Sequence, residues 1–185
     1  MAKQNLPHTR NSEAGANMYE PIIESQFMVY LLPPQGISGG GVLTQHVESI
    51  DGLFIEKGGE SATTQNYQTS QRSYASTEVE TTYDVEVAFS LNLNNNAENY
   101  VYNTLRDWSR KKYNPLTGER GLKKDYTGTL VGEKFRVDGA IFWRRTLHQA
   151  FINSNIPDLA GNYTNHDAQS IQVTFRGDYI TDETI

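Results

Sequence analysis

The chain has 185 residues and a formal net charge of −6, with 16 basic against 22 acidic side chains. This length suits one well-formed core and falls short of two ordinary domains, and the negative charge argues against a surface that binds nucleic acid all round. No cysteine is present, which excludes a disulfide framework and thiolate metal sites.

The charge is unevenly distributed along the chain. Residues 1–105 hold 4 basic and 12 acidic side chains, a net of −8, whereas residues 106–145 hold 11 basic and 5 acidic, a net of +6. We therefore expect the folded surface to have an acidic region and a basic one.

The N-terminal segment 1–19 is polar and lacks the apolar core of a signal peptide, so export by that route is not expected. No apolar run reaches the length of a membrane span, and no membrane insertion is predicted. We predict that residues 1–19 form either a mobile, flexible arm or one that is ordered only by a neighbour. A single domain is expected over residues 20–185.

Two strands are predicted after the arm. Phe27 to Leu32 is apolar or amphipathic at every position, which predicts a strand covered on both faces. The glycine-rich run 36–41 has no Gly-Lys-Ser/Thr after it, so we interpret it as a flexible hairpin turn and not as a phosphate loop. A second strand is predicted over Val42 to Val47. It leads to Ser49-Ile50-Asp51-Gly52-Leu53, where the glycine suits a bulge or tight turn.

The segment 54–83 is rich in Ser, Thr, Gln, Asn and Gly, with scattered tyrosines. Thr, Tyr and Val favour extended structure, and long structureless loops are uncommon, so we predict a protruding polar hairpin. Two arms of about a dozen residues would reach about 40 Å, beyond the radius of gyration of about 16 Å expected for the chain. We expect the hairpin to pair with another subunit through Glu60, Gln65, Tyr67, Arg72 and Tyr74.

The most regular stretch is a strand followed by a helix. Val85, Val87 and Phe89 alternate with polar residues, which predicts a strand with one solvated face. A helix over residues 95–112 is indicated by three features: N-cap asparagines at 94–96, Glu98 in a capping box, and an apolar stripe formed by Ala97, Val101, Leu105 and Trp108. It should end before Asn114-Pro115, because proline disfavours a helical residue before it.

A turn-rich basic loop is predicted over residues 113–126. Together with the end of the helix it carries Arg110, Lys111, Lys112, Arg120, Lys123 and Lys124. Such a loop contacts an acidic partner or nucleic acid, or is simply solvated, and the sequence leaves these alternatives open.

The remaining elements are predicted as strands. Thr127 to Val131 is a short strand, with Phe135 to Val137 as its return. Ile141 to Phe151 mixes apolar residues with two arginines and should bend or change face midway. A final strand covers Ser170 to Phe175 and is interrupted at Gly177.

No catalytic, cofactor or metal site is predicted. The four histidines never fall at the spacing of a helical zinc site, and no Gly-x-Ser-x-Gly nucleophile elbow occurs. Two pairs of carboxylates share strand faces, Glu78 with Glu80 and Asp84 with Glu86. Paired acids can hydrolyse glycosides, but no aromatic sugar-binding cluster accompanies them, so a solvated acidic face is the better interpretation.

The order and spacing of these elements resemble the tail tube protein family of contractile-tailed bacteriophages, which is related to the tube proteins of bacterial contractile injection systems. The resemblance spans roughly residues 20–182. Its matching pieces are the strand Ser25-Gln26-Phe27-Met28-Val29-Tyr30, the turn Ser49-Ile50-Asp51-Gly52-Leu53, the polar hairpin, the strand Tyr83 to Leu91, the helix Ala97 to Trp108 with its Leu105-Arg106-Asp107-Trp108 end, and the closing stretch Asn165 to Tyr179.

The resemblance implies a mainly β fold, a small β-barrel or sandwich with one flanking α-helix and the long protruding hairpin. It implies homo-hexameric rings that stack into a hollow tube inside a contractile sheath, with sheath, baseplate and tail terminator proteins as partners. It implies no catalysis and a place in the virion tail, assembled in the host cytoplasm. The hairpin would serve ring stacking, and the basic loop would face the sheath or the next ring.

Phage DNA would pass through such a tube without specific binding. Fixed negative charge repels phosphate, so an acidic lumen suits a conduit for DNA. The candidates for lining it are Glu48, Glu78, Glu80, Asp84 and Glu86.

Three alternatives to the phage tube remain open. One is the inner tube of a bacterial contractile injection system, which conducts protein effectors. Another is a nucleic-acid-binding β-barrel that uses Tyr67, Tyr74 and Tyr83 with the basic loop. The third is a carbohydrate-active sandwich built on the paired carboxylates.

Overall fold

The computed structural model describes residues 22–56, 62–75, 81–91, 100–157, 159 and 168–184. Its strands are β1 (Phe27–Leu32), β2 (Val47–Asp51), β3 (Ala62–Asn66), β4 (Gln71–Ala75), β5 (Tyr83–Ser90), β6 (Gly128–Phe135), β7 (Ile141–Ile152), β8 (Ser170–Gly177) and β9 (Tyr179–Thr184). Its helices are α1 (Gly40–Gln45), α2 (Val101–Lys112) and α3 (Lys123–Tyr126).

Two antiparallel layers share the long strand β7. Most of β7 pairs with β6 on one side and with β9 on the other, and β6 also pairs with β1. The last residues of β7, Phe151 and Ile152, pair instead with β8, which continues through β5 to β2. The predicted mainly β fold is confirmed in its sandwich form.

The change of layer occurs at Gln149. This residue has a positive φ of 55°, and the buried side chains change register across it, from Arg145 and Leu147 before it to Ala150 and Ile152 after it. Because strand side chains alternate between faces, one residue in the left-handed region lets the same strand serve two sheets. The predicted change of face within this strand is confirmed.

The core lies between the two layers and under α2. Val85, Val87 and Phe89 of β5 are fully buried, as the alternation predicted. The Trp108 ring of α2 lies 5.2 Å from the Phe175 ring, and its Nε1 donates to the carbonyl oxygen of Tyr126 at 2.9 Å. Burying one such large apolar side chain contributes roughly 1.5–3 kcal/mol.

Helix α2 begins later than predicted. Its N-cap is Tyr100, which makes no side-chain capping bond, whereas Asn94 to Asn96, Ala97 and Glu98 lie outside the described residues. The buried stripe Val101, Leu105 and Trp108 is confirmed, and Thr104 joins it. The helix ends at Lys112, before Asn114-Pro115, as expected.

The strand predicted over Val42 to Val47 is wrong, because Gly40–Gln45 forms helix α1. Leu43 is fully buried, and the Thr44 hydroxyl accepts a hydrogen bond from the Leu31 amide at 3.2 Å. A Cβ on Gly40 would come within 2.8 Å of the Leu31 carbonyl oxygen, so close packing on β1 requires glycine here. The glycine run is therefore the approach to a helix and not a hairpin turn.

Two further predictions near β1 and β6 are also wrong. Strand β6 runs unbroken to Phe135, so Phe135 to Val137 is not a return strand, and the return begins at Ile141. The prediction that β1 is covered on both faces fails because Met28, Tyr30 and Leu32 are 43%, 37% and 56% exposed. The turn at Gly52 is confirmed, with a positive φ of 83°.

Candidate assembly surfaces

The polar hairpin is confirmed as a two-stranded sheet of β3 and β4. Every side chain that the structure describes from residue 64 to residue 74 is exposed. Tyr67 donates to Gln65 Oε1 at 2.9 Å, and the Arg72 guanidinium lies 6.0 Å from the Tyr67 ring. Side-chain hydrogen bonding with Tyr74, and then desolvation, raises the pKa of the Tyr67 hydroxyl above its usual range. Four of the five predicted pairing residues are thus together and accessible, and Glu60 lies outside the described residues.

The first residues of the 54–83 segment are fixed to the sandwich by Arg145, whose side chain is 4% exposed. Its guanidinium donates to the carbonyl oxygens of Leu53 and Ile55 at 3.4 and 2.8 Å, and to the carboxylates of Glu56 and Asp182 at 2.5 and 3.0 Å. It also lies 4.7 Å from the Trp143 ring. Arg145 therefore ties the approach to the hairpin to the last strand, β9.

The sequence did not single out Arg145 as a site residue. The only signal was a pair of arginines within an otherwise apolar strand. Charged side chains are rarely buried unless they are paired, so such a pattern indicates an internal ion pair. Its partners lie far away in sequence, and no local pattern identifies them.

Two of the five acidic candidates, Asp84 and Glu86, lie on the outer face of the β2-β5-β8 layer. Asp84 accepts from Arg176 Nε at 2.7 Å, and Glu86 accepts from Gln172 at 2.6 Å. Asp51, which the prediction omitted, is the cross-strand neighbour of Glu86. Like charges placed opposite each other are destabilising, so this pair does not serve the stability of the isolated subunit.

Of the other three acidic candidates, the structure describes only Glu48. Glu48 is exposed at the irregular pairing between Val47 and Ser49 of β2. Glu78 and Glu80 lie outside the described residues.

The basic loop, residues 113–126, is ordered by hydrogen bonds within the loop. Tyr113 and Arg120 form an isolated bridge, and the turn between them is held by Asn114, which accepts from the Gly118 amide at 2.8 Å and from the Leu116 amide at 3.0 Å. The short helix α3 closes the loop. The loop presents apolar as well as basic side chains, because Leu116 and Leu122 are 81% and 65% exposed.

The six basic candidates are not equivalent. Lys111, Arg120, Lys123 and Lys124 are exposed and Arg110 is half-buried. Lys112 donates to the carbonyl oxygen of Ile152 at 2.8 Å, so its side chain stabilises the fold. Lys123 forms an ion pair with Asp178.

An open groove of about 580 Å³ lies where β1 begins and β2 ends. We call it the acidic groove. Phe27, Ile50, Phe54 and Ile55 supply its apolar lining, and Glu24, Glu48 and Asp51 contribute carboxylates. Its one amine, that of Lys134, lies 5.0 Å from the Phe54 ring.

The outer face of the β1-β6-β7-β9 layer combines an apolar strip with an ionic one. Met28, Tyr30 and Leu32 of β1 form the apolar strip. Beside it, Arg144 donates to Glu133 at 2.7 Å and to Glu183 at 3.2 Å. These hydrogen bonds, first the one to Glu133, raise the pKa of Arg144 above its already high value. Arg144 is therefore held in its charged form between the carboxylates of Glu133 and Glu183.

The described residues hold no candidate metal cluster and no membrane-spanning helix. Among the described residues, no group of three or more His, Asp or Glu side chains could hold a metal ion. None of the described helices is long and apolar enough to cross a membrane.

Several solved structures share this fold over nearly the whole of both chains. A chain of the tube-terminating cap of the anti-feeding prophage is 13% identical with a TM-score of 0.59, over 90% of this chain and 93% of that chain. A chain of the sheath-tube complex of PVC, an extracellular contractile injection system, is 12% identical with a TM-score of 0.58. The match covers 98% of this chain and 100% of that chain. A chain of the sheath/tube terminator of PVC is 12% identical with a TM-score of 0.58, over 90% of this chain and 99% of that chain. No family model and no curated protein matches the sequence.

At these identities the likeness is one of fold. The chain has the fold of the tube and tube-terminator proteins of contractile injection systems. The resemblance to the tail tube family that the order of elements indicated is confirmed at this level.

Proposed function

We propose that this protein is a structural, non-enzymatic subunit of the tube of a contractile tail. One observation carries the proposal: the fold matches tube and terminator chains from end to end, covering 90–98% of this chain. The described surfaces support it, since an exposed hairpin and an apolar strip on an edge strand are features of a subunit that is completed by neighbours.

In the proposed assembly, homo-hexameric rings stack into a hollow conduit inside a contractile sheath. The hairpin provides the contact between rings, through Gln65, Tyr67, Arg72 and Tyr74. The sheath, the baseplate and a tail terminator are the further partners, and the assembled particle is a virion-like tail built in the host cytoplasm. The tube itself is not inserted in a membrane.

The proposed cargo is phage DNA, which passes without specific binding along a lumen that includes Asp84 and Glu86. Arg176 bonds to Asp84, so the described part of this face is less negative than a row of free carboxylates. A protein effector is therefore the second cargo to consider, as in an injection system. A neighbouring portal or capsid gene would favour the phage, and a neighbouring effector gene the injection system.

A tube terminator is a second candidate within the same class. The observation that favours it is that the prophage cap matches as well as the chain from the sheath-tube complex, with TM-scores of 0.59 and 0.58. A terminator should form single rings that do not stack on one another, whereas a tube subunit should form long stacks.

Negative-stain electron microscopy of the purified protein at high concentration tests the proposal. We expect hollow tubes or stacked six-fold rings from the intact chain. A variant lacking residues 60–77 should give unstacked rings or monomers. Compact monomers from both proteins, also in the presence of an assembled baseplate, would reject the tube.

Binding of a labelled single-stranded oligonucleotide distinguishes the nucleic-acid alternative. A tube subunit should show little binding at low salt, whereas a nucleic-acid-binding barrel should bind tightly and lose affinity as salt rises. Replacing Tyr67 and Tyr74 with alanine should then reduce binding only in the second case.

A further inference from the structure

Two surfaces of this protein are complementary in chemistry. The acidic groove has an apolar lining, three carboxylates and one amine. The basic loop has three exposed apolar side chains, those of Tyr113, Leu116 and Leu122, which are 46%, 81% and 65% exposed. The basic side chains of this loop, Arg120, Lys123 and Lys124, outnumber its acidic ones, Glu119 and Asp125.

The basic loop is already ordered in the single chain. Backbone and Asn114 side-chain hydrogen bonds of 2.8–3.0 Å fix its turn, and Arg120 lies 5.8 Å from the Tyr113 ring. Binding a preformed projection loses less conformational entropy than ordering a free one.

The acidic groove is likewise already open in the single chain. A volume of about 580 Å³ is enough for several side chains. The three carboxylates of Glu24, Glu48 and Asp51 outnumber the single amine of Lys134, so an incoming partner meets a net negative charge. Opposite charge across an interface speeds association and selects the partner.

The two surfaces lie at opposite ends of the same strands. Phe27 and Lys134, both in the groove, pair at one end of β1 and β6, while the loop enters β6 through α3 at the other end. Eight extended residues of β6 separate these ends by about 25 Å. The loop of one chain therefore cannot fill the groove of the same chain.

We propose that the basic loop of one copy docks in the acidic groove of a neighbouring copy, with Leu116 on the apolar lining and Arg120 and Lys124 against Glu48 and Asp51. The proposal rests on the proposed tube function and assigns two of its contact surfaces. Contacts of this kind join unlike surfaces, so they repeat from copy to copy and do not end at a dimer. Glu48 and Asp51 then belong to a subunit contact, Glu86 lies beside it as the cross-strand neighbour of Asp51, and Asp84 remains a lumen candidate.

Cross-linking between single-cysteine variants tests the contact directly, because the natural chain has no cysteine. L116C and I55C are made in separate chains, mixed, and treated with a short bismaleimide. We expect a covalent dimer in the mixture and none with either variant alone. L116C mixed with M28C, whose cysteine is exposed on the β1 strip, should give none.

Charge reversal gives a second, independent test. The loop variant R120E/K124E and the groove variant E48K/D51K change only exposed side chains, so circular dichroism should match the natural protein. Each variant alone should lose most of its assembly. Their equimolar mixture should recover it, because each loop again meets a groove of opposite charge. Full assembly of either variant alone, or no recovery in the mixture, would overturn the contact.

Micrographs of the cross-linking samples separate this contact from the tube function. Tubes without the L116C–I55C dimer, when both cysteines react with a labelled maleimide, overturn the contact and leave the tube. The dimer without tubes supports the contact and rejects the tube. The absence of both rejects both proposals.

Discussion

At the scale of single residues, Arg145 connects parts of the described chain that lie far apart in sequence. It is almost fully buried and joins residues 53–56 to Asp182 of β9. Its carboxylate partners are more accessible, because Glu56 and Asp182 are 82% and 37% exposed. Removing Arg145 would therefore leave the carbonyl oxygens of Leu53 and Ile55 without their donor, while the two carboxylates remain solvated.

We expect R145M to lower the free energy of unfolding by about 1–3 kcal/mol, the cost of leaving buried acceptors unsatisfied. Methionine keeps much of the volume but none of the hydrogen bonds. Urea unfolding followed by fluorescence measures this change. The control is R120M, at an exposed position, with an expected change within about 0.5 kcal/mol. Equal midpoints for the two variants would contradict the role given to Arg145.

A pair of glycines tests the packing of the helix on the sheet. A Cβ on Gly128 would lie 2.4 Å from the Leu32 carbonyl oxygen and 2.8 Å from the Trp108 ring. We expect G128A to destabilise the protein by about 1–3 kcal/mol, the usual effect of overpacking. The control is G41A in α1, where a Cβ meets nothing within 4 Å and alanine should be neutral or mildly stabilising. Thermal melts of both variants provide the comparison.

At the scale of elements, strand β7 shows how one residue shapes the fold. Gln149 is exposed and has a φ of 55°, a conformation that glycine adopts more easily than other residues. We expect Q149G to stabilise the protein by up to about 1 kcal/mol and Q149V to destabilise it. Urea midpoints that move in the same direction for both variants would contradict the assignment of strain to this position.

Some elements could be predicted from the sequence because their pattern is local. The alternation of Val85, Val87 and Phe89 and the stripe of Leu105 and Trp108 both correspond to buried faces. Helix α1 could not be predicted, because what fixes it is the contact of Gly40 and Leu43 with residues elsewhere. The exposed face of β1 was missed because an apolar strand looks the same whether its cover comes from its own chain or from a neighbour.

Of the two candidate surfaces, one could be predicted from the sequence and the other could not. The basic loop could be predicted because its lysines and arginines are close in sequence. The acidic groove could not, since Glu24, Asp51 and Lys134 meet only after folding. Charge composition thus located one half of the proposed contact, and only the structure located the other.

At the scale of the whole molecule, the separation of acidic and basic ends predicts how assembly depends on salt. The Debye length falls from about 10 Å at 0.1 M salt to about 3 Å at 1 M. We therefore expect assembly of the natural protein to weaken several-fold when NaCl is raised over this range, as measured by sedimentation velocity. The control is R120Q/K124Q, which should assemble less at low salt and respond less to added salt. Assembly that strengthens steadily with salt would indicate a mainly apolar contact.

The attachment of Arg145 to β9 also has a mechanical consequence. Strand β9 is held on β7 by six cross-strand pairs, from Trp143 with Thr184 to His148 with Tyr179. In the proposed tube, part of a force on the hairpin would pass through residues 53–56 to Arg145, and from there to β7 and, through Asp182, to β9. Tension along the strands loads these pairs in parallel and does not open them one at a time. In the proposed tube, the load that this attachment carries would therefore be shared by β7 and β9.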